Sequence, residues 1–176
     1  MGTMSQEARK RVFWIYDRLK GSTVKDHLSD VSEIMNSMDE HATRKIENRL
    51  SALISHTVDT TPYYSALKDA VDLQDFPVVN KNIIRENFYE FMSSSFDRNQ
   101  LKPAVTSGST GTPFKVLHDQ NKVLRNTADT LYFSSLAGYE LGERLYYLKI
   151  WNEKNKKSPL SLFMQNIVPV DVCDQS

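Results

Sequence analysis

Residues 106–112 form a segment whose side chains and backbone could bind an anion. The segment consists only of Thr, Ser and Gly, in the order Thr106, Ser107, Gly108, Ser109, Thr110, Gly111 and Thr112. Small residues of these types let backbone N–H groups and hydroxyls surround one anion, as in a phosphate-binding loop. The two glycines would also let the backbone approach the anion closely. The segment therefore predicts a phosphate site.

This segment has two other interpretations. A Walker A loop needs Gly, four residues and then Gly-Lys-Ser/Thr, whereas Gly108 and Gly111 are three positions apart and Thr112 follows. The spacing thus excludes a P-loop NTPase. Clusters of Ser, Thr and Gly also form ordinary turns, so a hairpin loop without a ligand stays an alternative.

Short extended segments flank the loop on both sides. Residues 101–105 are predicted to begin a strand, and residues 114–117 alternate large apolar side chains with Lys115. The loop is therefore expected to join two strands. Lys115 is a candidate phosphate ligand, although successive side chains of an extended segment point to opposite faces.

The sequence Thr-Ser-Gly-Ser-Thr-Gly-Thr-Pro at 106–113 resembles the phosphate-binding signature of the adenylate-forming enzymes, the acyl- and aryl-CoA ligase superfamily. Its surroundings resemble the phenylacetate-CoA ligase-like, CapK-like proteins of capsular polysaccharide biosynthesis. The resemblance includes Thr-Pro-Tyr-Tyr at 61–64 and the segment 76–87 with its Pro77 and Lys81, and it runs from about residue 50 to residue 117. Many family members have a Lys where this chain has Pro113 or Phe114.

The resemblance implies an ATP-dependent activation of a carboxylic acid. Such enzymes form an acyl-adenylate and pyrophosphate and then transfer the acyl group to a thiol such as CoA. It implies that residues 106–112 and Lys115 bind ATP with Mg²⁺, and that a carboxylic acid and CoA are partners of the full-length relative. Fixed donors would stabilise the charge that develops on the phosphates.

The later motifs of that family cannot be placed in residues 138–176. Those motifs bind adenine, metal and ribose or carry the catalytic lysine, so no catalytic residue is assigned. We therefore expect the N-terminal segment of a ligase-like protein that is inactive alone. Two alternatives stay open: a non-catalytic nucleotide-binding module, either alone or completed by a separate C-terminal chain, and a purely structural α/β protein.

Composition restricts the classes of partner. The chain has 176 residues, of which 40% are hydrophobic and 25% charged, as expected for a globular protein with a core. Its 22 Lys and Arg balance 22 Asp and Glu, so no net field favours nucleic acid or an anionic membrane. The single Cys173 excludes an internal disulfide, and the four histidines lack metal-ligand spacing.

Targeting signals are not evident. Charged residues interrupt the N-terminal region before an apolar stretch of signal-peptide length can form, and no apolar run approaches about 20 residues. We therefore expect a cytoplasmic protein that does not insert into membranes.

Three helices are predicted first, over residues 6–20, 23–37 and from the pair Ser37 and Glu40 onward. Thr23 and Asp26 form a weaker capping pair for the second. Asn80 is predicted to cap a fourth helix over 81–92. The expected buried stripes of the first and third helices are Ala8, Val12, Phe13, Tyr16 and Leu19, and Ala42, Ile46, Leu50, Leu53 and Ile54.

Helices and strands alternate after the loop. Asp119 is predicted to begin a helix over 120–137 that Gly138 ends, with a stripe of Val123, Leu124, Thr127, Leu131 and Leu136. A buried strand is predicted over 144–151, then a helix from Ser158 and Pro159 to about 165, and a strand over 167–172.

This order predicts an α/β fold, with N-terminal helices followed by a mixed sheet with crossover helices, resembling the N-terminal portion of the adenylate-forming ligase fold. Residues 1–60 would form a helical region and residues 61–176 an incomplete α/β nucleotide-binding portion of the same structural domain. An incomplete sheet would expose Tyr146, Leu148, Ile150, Trp151 and residues 162–170, which predicts self-association.

Overall fold

The computed structural model describes residues 4–37, 39–106, 113–151 and 156–173. Contacts within the chain divide it into two compact units, one of residues 1–29 with 127–176 and one of residues 30–126. The boundary near residue 60 stays a prediction. Among the described residues, every helix is too short or too polar to cross a bilayer.

The described residues have an α/β arrangement whose elements follow the predicted order. The helices are α1 (Gln6–Leu19), α2 (Thr23–Asn36), α3 (Glu40–Thr60), α4 (Lys81–Glu86), α5 (Gln120–Leu136) and α6 (Pro159–Gln165). The strands are β1 (Lys102–Val105), β2 (Lys115–His118), β3 (Leu145–Lys149) and β4 (Ile167–Asp171). Single 3-10 turns lie at Pro62–Tyr64, Leu73–Asp75 and Arg98–Gln100.

Several helix ends are where local chemistry predicts them. The side chains of Asn80, Asp119 and Ser158 accept hydrogen bonds from backbone N–H groups in the first turns of α4, α5 and α6. Gly21 and Gly138, which follow α1 and α5, have φ angles of +98° and +83°, a conformation that glycine adopts without strain. Each of these helix ends is determined by residues within a few positions of it, so the sequence is enough to predict it.

The capping pairs predicted for α2 and α3 are wrong. The carboxylate of Asp17 accepts the N–H groups of Val24 and Lys25 at 3.0 Å each, so a residue of α1 caps α2. Asp39 caps α3 through the N–H of Ala42 at 2.8 Å. In both places an aspartate carboxylate accepts the backbone hydrogen bonds. A carboxylate is a stronger acceptor than the neutral hydroxyl of Thr23 or Ser37.

The fourth helix ends six residues earlier than predicted, at Glu86. Asn87 has left helical geometry, with φ −114° and ψ 32°, and its side-chain amide donates to the carbonyl of Ile83 at 2.9 Å. This local bond satisfies a carbonyl at the end of α4 and favours termination there. Residues 87–92 therefore form turns instead of two further helical turns.

The buried face of α1 is not the predicted apolar stripe. Val12, Tyr16 and Leu19 are exposed, whereas the polar residues Arg9 and Asp17 are buried. The Arg9 guanidinium lies 4.7 Å from the ring centroid of Phe163, and its Nε donates to the Met4 carbonyl at 3.2 Å. Specific partners therefore decide which face of α1 is covered.

The stripes of α3 and α5 are confirmed only in part. In α3, Ala42 and Ile54 are buried as predicted, together with Val58, but Ile46 and Leu53 are exposed. In α5 the buried residues are Ala128 and Tyr132, and the predicted Leu136 is exposed. Helical periodicity alone does not determine which apolar positions are covered.

An ion-pair cluster centred on Asp30 connects α2, α3 and α5 within the unit of residues 30–126. Its carboxylate accepts two hydrogen bonds from Arg49, at 2.5 and 2.8 Å, one from Lys45 at 2.9 Å and one from Arg125 at 2.6 Å. These groups hold the pKa of Asp30 well below its usual range, Arg49 having the largest effect, while partial burial opposes the shift.

The four described strands form two separate sheets, so the predicted single mixed sheet is wrong. β1 pairs with β2 antiparallel, with Lys102 opposite His118 and Val105 opposite Lys115. β3 pairs with β4 in parallel through α6. The strands of the first sheet are joined by one loop. The strands of the second sheet are parallel and are connected by the crossover helix α6.

Strand β3 is not the buried strand that its composition predicts. Tyr146 and Leu148 are 58% and 63% exposed, and Ile150 after the strand is also exposed. An incomplete sheet predicts that these three residues are exposed, as they are. Trp151 and most of residues 162–170 are half-buried instead. Parallel strands normally have both faces covered, so the described residues leave apolar surface in water.

We expect this exposed surface to cause association at micromolar protein concentration. Sedimentation velocity should show species larger than the monomer, and the double variant Tyr146→Ser and Leu148→Lys should return most of the protein to the monomer. The matched control, Val71→Lys, changes an apolar side chain that is 81% exposed elsewhere. A monodisperse wild-type monomer would contradict this prediction.

Candidate phosphate-binding site

The predicted loop is the connection of a β-hairpin. At its base the Thr106 N–H donates to the Phe114 carbonyl at 2.9 Å, and the Phe114 N–H donates to Thr106 Oγ1 at 3.1 Å. The prediction that the loop joins two strands is confirmed. The Thr106 hydroxyl accepts a bond within the hairpin, and the hairpin holds the two ends of the segment together.

Two of the eight predicted ligand residues lie within the described part of the chain, Thr106 and Lys115. The other six, Ser107, Gly108, Ser109, Thr110, Gly111 and Thr112, lie outside the described residues. Their role as phosphate ligands therefore stays a prediction. The described residues at the base of the hairpin have cationic side chains as neighbours.

Two cationic side chains of α4 lie against the hairpin base. Lys81 Nζ is 5.8 Å from the ring centroid of Phe114, and the guanidinium carbon of Arg85 is 5.9 Å from the same centroid. Both distances are within the range of cation–π attraction. Arg85 also donates to the Asn82 side-chain oxygen at 3.2 Å. Phe114 is the second residue after the loop in the sequence, and both cations lie beside its ring.

Lys81 and Arg85 are site residues that the sequence pattern did not predict. Asn80 begins α4 immediately before Lys81, and the spacing of four residues places Arg85 on the same side of the helix one turn later. That spacing was visible in the sequence. What was not visible is that this side of α4 packs on the hairpin, because such packing depends on tertiary structure.

Lys115 is the third cation of the cluster. Its Nζ lies 5.6 Å from the ring centroid of Phe88. Its side chain also borders a groove of about 270 Å³ lined mainly by apolar groups, including Ile84, Phe91 and Val116. Phe114 thus lies beside the cations of α4, whereas Lys115 lies beside Phe88 in the turn that follows α4.

Two cations of this cluster, Lys81 and Lys115, have no carboxylate partner within the part of the chain that the structure describes. Ammonium groups without a carboxylate partner can pair with an external anion. The loop and the three cations together therefore define a candidate phosphate-binding site, which we call the loop-base cluster: Thr106, Lys81, Arg85, Phe114 and Lys115.

A second polar cluster in the same unit joins His56, Thr60 and Ser93. Both hydroxyl oxygens lie near His56 Nε2, at 3.2 Å for Thr60 and 3.3 Å for Ser93. Thr60 donates its proton to the His56 carbonyl at 2.6 Å, and Ser93 donates to Thr60 Oγ1 at 2.9 Å.

The hydrogen bonds of this cluster join the last turn of α3 to Ser93. The Ser94 N–H also donates to the Thr60 carbonyl at 2.7 Å. The cluster therefore fastens the end of α3 to the turn at Ser93, and we assign it a structural role.

No protein-family model, curated protein or solved structure matches this chain. The site must therefore be interpreted from its own residues, and the resemblance at residues 106–113 remains an expectation.

Proposed function

We propose that this chain is the N-terminal segment of an ATP-dependent carboxylate-activating protein, with an adenylate-forming and CoA-ligase-like chemistry, and that its loop binds the phosphates of ATP with Mg²⁺. The resemblance further suggests a cytoplasmic role in capsular polysaccharide biosynthesis. The observation that carries the proposal is the loop-base cluster, which combines a Ser, Thr and Gly loop with three cations.

Each part of the cluster would have a separate role in binding the nucleotide. The backbone N–H groups and hydroxyls of residues 106–112 would bind the β- and γ-phosphate oxygens. Lys81, Arg85 and Lys115 would offset the negative charge without forming a covalent intermediate. Since none of these side chains has to gain or lose a proton, the site suits displacement at a phosphate more than acid–base catalysis.

Magnesium would enter with the nucleotide in this proposal. Within the described residues there is no group of three or more His, Cys, Asp or Glu side chains that could hold a metal ion. We therefore name no protein ligand for Mg²⁺. The carboxylic acid and CoA belong to the reaction of the full-length relative and are proposed only as substrates of that reaction.

Replacing Lys81 tests whether the cluster recognises phosphate. We expect Mg-ATP to bind weakly, in the millimolar range, and to shift the amide NMR signals of Thr106, Phe114 and Lys115. Lys81→Met should weaken this binding roughly tenfold, which corresponds to about 1.4 kcal/mol, because a charge-assisted hydrogen bond is lost.

Lys68→Met is the matched control, since Lys68 is an exposed lysine of the same unit outside the cluster. The Lys68→Met variant should bind Mg-ATP with the same affinity as the wild type. Equal weakening by both variants would mean that only overall charge matters. An absence of amide shifts at millimolar Mg-ATP would refute the proposed function.

A further inference from the structure

Helix α1 has a row of apolar side chains on its exposed side. Val12, Ile15, Tyr16 and Leu19 are 40%, 58%, 62% and 80% exposed. Positions three, four and seven residues apart are neighbours along one side of a helix, so these four side chains form a continuous row, which we call the α1 stripe. Single exposed apolar side chains are common on protein surfaces, whereas a continuous group of them marks an interaction surface.

Contacts with the rest of its unit fix the rotation of α1. Arg9 and Asp17 are buried, and the Asp17 carboxylate accepts the N–H of Val24 at 3.0 Å. Lys10 Nζ lies 3.3 Å from a carboxylate oxygen of Glu140. The helix cannot turn the α1 stripe inward without breaking these contacts, so the stripe faces water until another element covers it.

Cations border the α1 stripe on both sides. Helical periodicity places Arg11 and Arg18 along one edge. Lys20, which follows α1, lies at the other edge with its Nζ 5.9 Å from the ring centroid of Tyr16. All three cations are exposed, and within the described residues none of them forms a salt bridge. Glu7, one turn before Arg11, is the acidic residue at this border, which is therefore mainly positive.

We propose that the α1 stripe is the docking surface for an acidic amphipathic helix of a partner protein. The spacing of its four residues is that at which one helix meets another along a narrow apolar seam. Acidic side chains beside the apolar seam of the partner would pair with Arg11, Arg18 and Lys20. Such charge complementarity selects the partner and its orientation.

Two other occupants fit these charges less well. A second copy of the chain, packed antiparallel through the same stripe, would place Arg11 of one copy opposite Arg18 of the other, and like charges repel. An anionic membrane would attract the cations, but a helix lying in a lipid surface buries a wide apolar face. The α1 stripe is narrow, because charges border it on both edges. These observations favour a helix with negative charges.

The experiment uses the complete chain and two synthetic peptides of about three heptads, at constant ionic strength. The acidic peptide has Leu at the seam positions and Glu beside them, and the basic peptide has Lys in place of each Glu. Fluorescence anisotropy measures the affinity, and the methyl NMR signals of Ile15 and Leu19 locate the site. The acidic peptide should bind with a micromolar Kd and shift both signals, and the basic peptide should bind at least about tenfold more weakly.

Variants separate the α1 stripe from diffuse attraction. Ile15→Gln and Leu19→Gln should each weaken binding of the acidic peptide at least about fivefold. Val78→Gln is the matched control, because Val78 is 96% exposed in the other unit, and it should leave the affinity unchanged. The double variant Arg11→Glu and Arg18→Glu should reverse the preference and make the basic peptide the tighter ligand.

Several results would each overturn the proposal. They are no saturable binding of the acidic peptide, equal affinity for the two peptides, equal effects of Val78→Gln and Leu19→Gln, and a preference that charge reversal leaves unchanged. Phosphatidylserine vesicles that displace the acidic peptide would assign the stripe to a membrane, and self-association lost in Leu19→Gln would assign it to a second copy. The comparison of the two peptides needs no variant, so a folding defect does not prevent the test. Failure here leaves the proposed function untouched, since α1 shares no residue with the loop-base cluster.

Discussion

Gly108→Val is expected to abolish the NMR shifts that Mg-ATP causes at Thr106, Phe114 and Lys115. A β-branched side chain restricts the backbone and occupies the space that a phosphate oxygen would need. In the proposed function the loop contributes most of the donors, so losing its conformation should cost more affinity than losing any one cation. We expect no detectable binding at millimolar Mg-ATP.

Thr112→Val is the matched control, because it introduces the same side chain into the same loop. It removes one hydroxyl while retaining β-branching, so the expected loss is that of one hydrogen bond, about 1 kcal/mol or roughly fivefold in affinity. Circular dichroism and thermal unfolding should be unchanged in both variants. Wild-type affinity in Gly108→Val would contradict a phosphate-binding loop and favour an ordinary hairpin turn.

Asp30→Asn is expected to lower the free energy of unfolding by about 2 kcal/mol at neutral pH. The Asp30 side chain is only 14% exposed, and removing its charge leaves three cations of α3 and α5 around a neutral amide. Breaking a fully buried pair costs about 3–5 kcal/mol, and the partial exposure of the cations reduces that figure. Urea unfolding followed by circular dichroism measures the change.

The effect of Asp30→Asn should also depend on pH. Since the folded-state pKa of Asp30 lies below its value in the unfolded chain, the stabilisation is complete above the unfolded value of about 4 and is lost as the pH falls toward the folded value. The stability difference between wild type and variant should therefore be constant from about pH 5 to 7 and shrink below about pH 4.

Asp59→Asn provides the control for charge alone. Asp59 is an exposed acid on α3, so its replacement should change the unfolding free energy by less than about 0.5 kcal/mol. A similar loss in Asp59→Asn and Asp30→Asn, or a difference that does not change with pH, would show that the ion-pair cluster contributes nothing specific.

Local signals predicted much of the secondary structure. Asn80, Asp119 and Ser158 cap helices where their side chains meet the next backbone N–H groups, and Gly138 follows α5 in a left-handed conformation. These interactions extend over a few residues, so the sequence contains all that is needed to predict them. The hairpin around residues 106–114 was predictable for the same reason.

Features that depend on distant partners were not predictable. Arg9 is buried because the ring of Phe163, far along the chain, lies against its guanidinium. A helical pattern of apolar residues indicates a covered face but not which elements cover it. The predicted stripe of α1 failed at Val12 and Tyr16, which the described residues leave exposed.

For the candidate site, the sequence by itself determined the chemistry of the loop: Ser, Thr and Gly at residues 106–112 and Lys115 beyond them. Only the tertiary structure decided that Lys81 and Arg85 lie against Phe114 at the hairpin base. The reason is that residue types and short spacings set what a segment can bind or cap. Which charged side chains lie next to that segment depends on how elements that are far apart in the chain pack against each other.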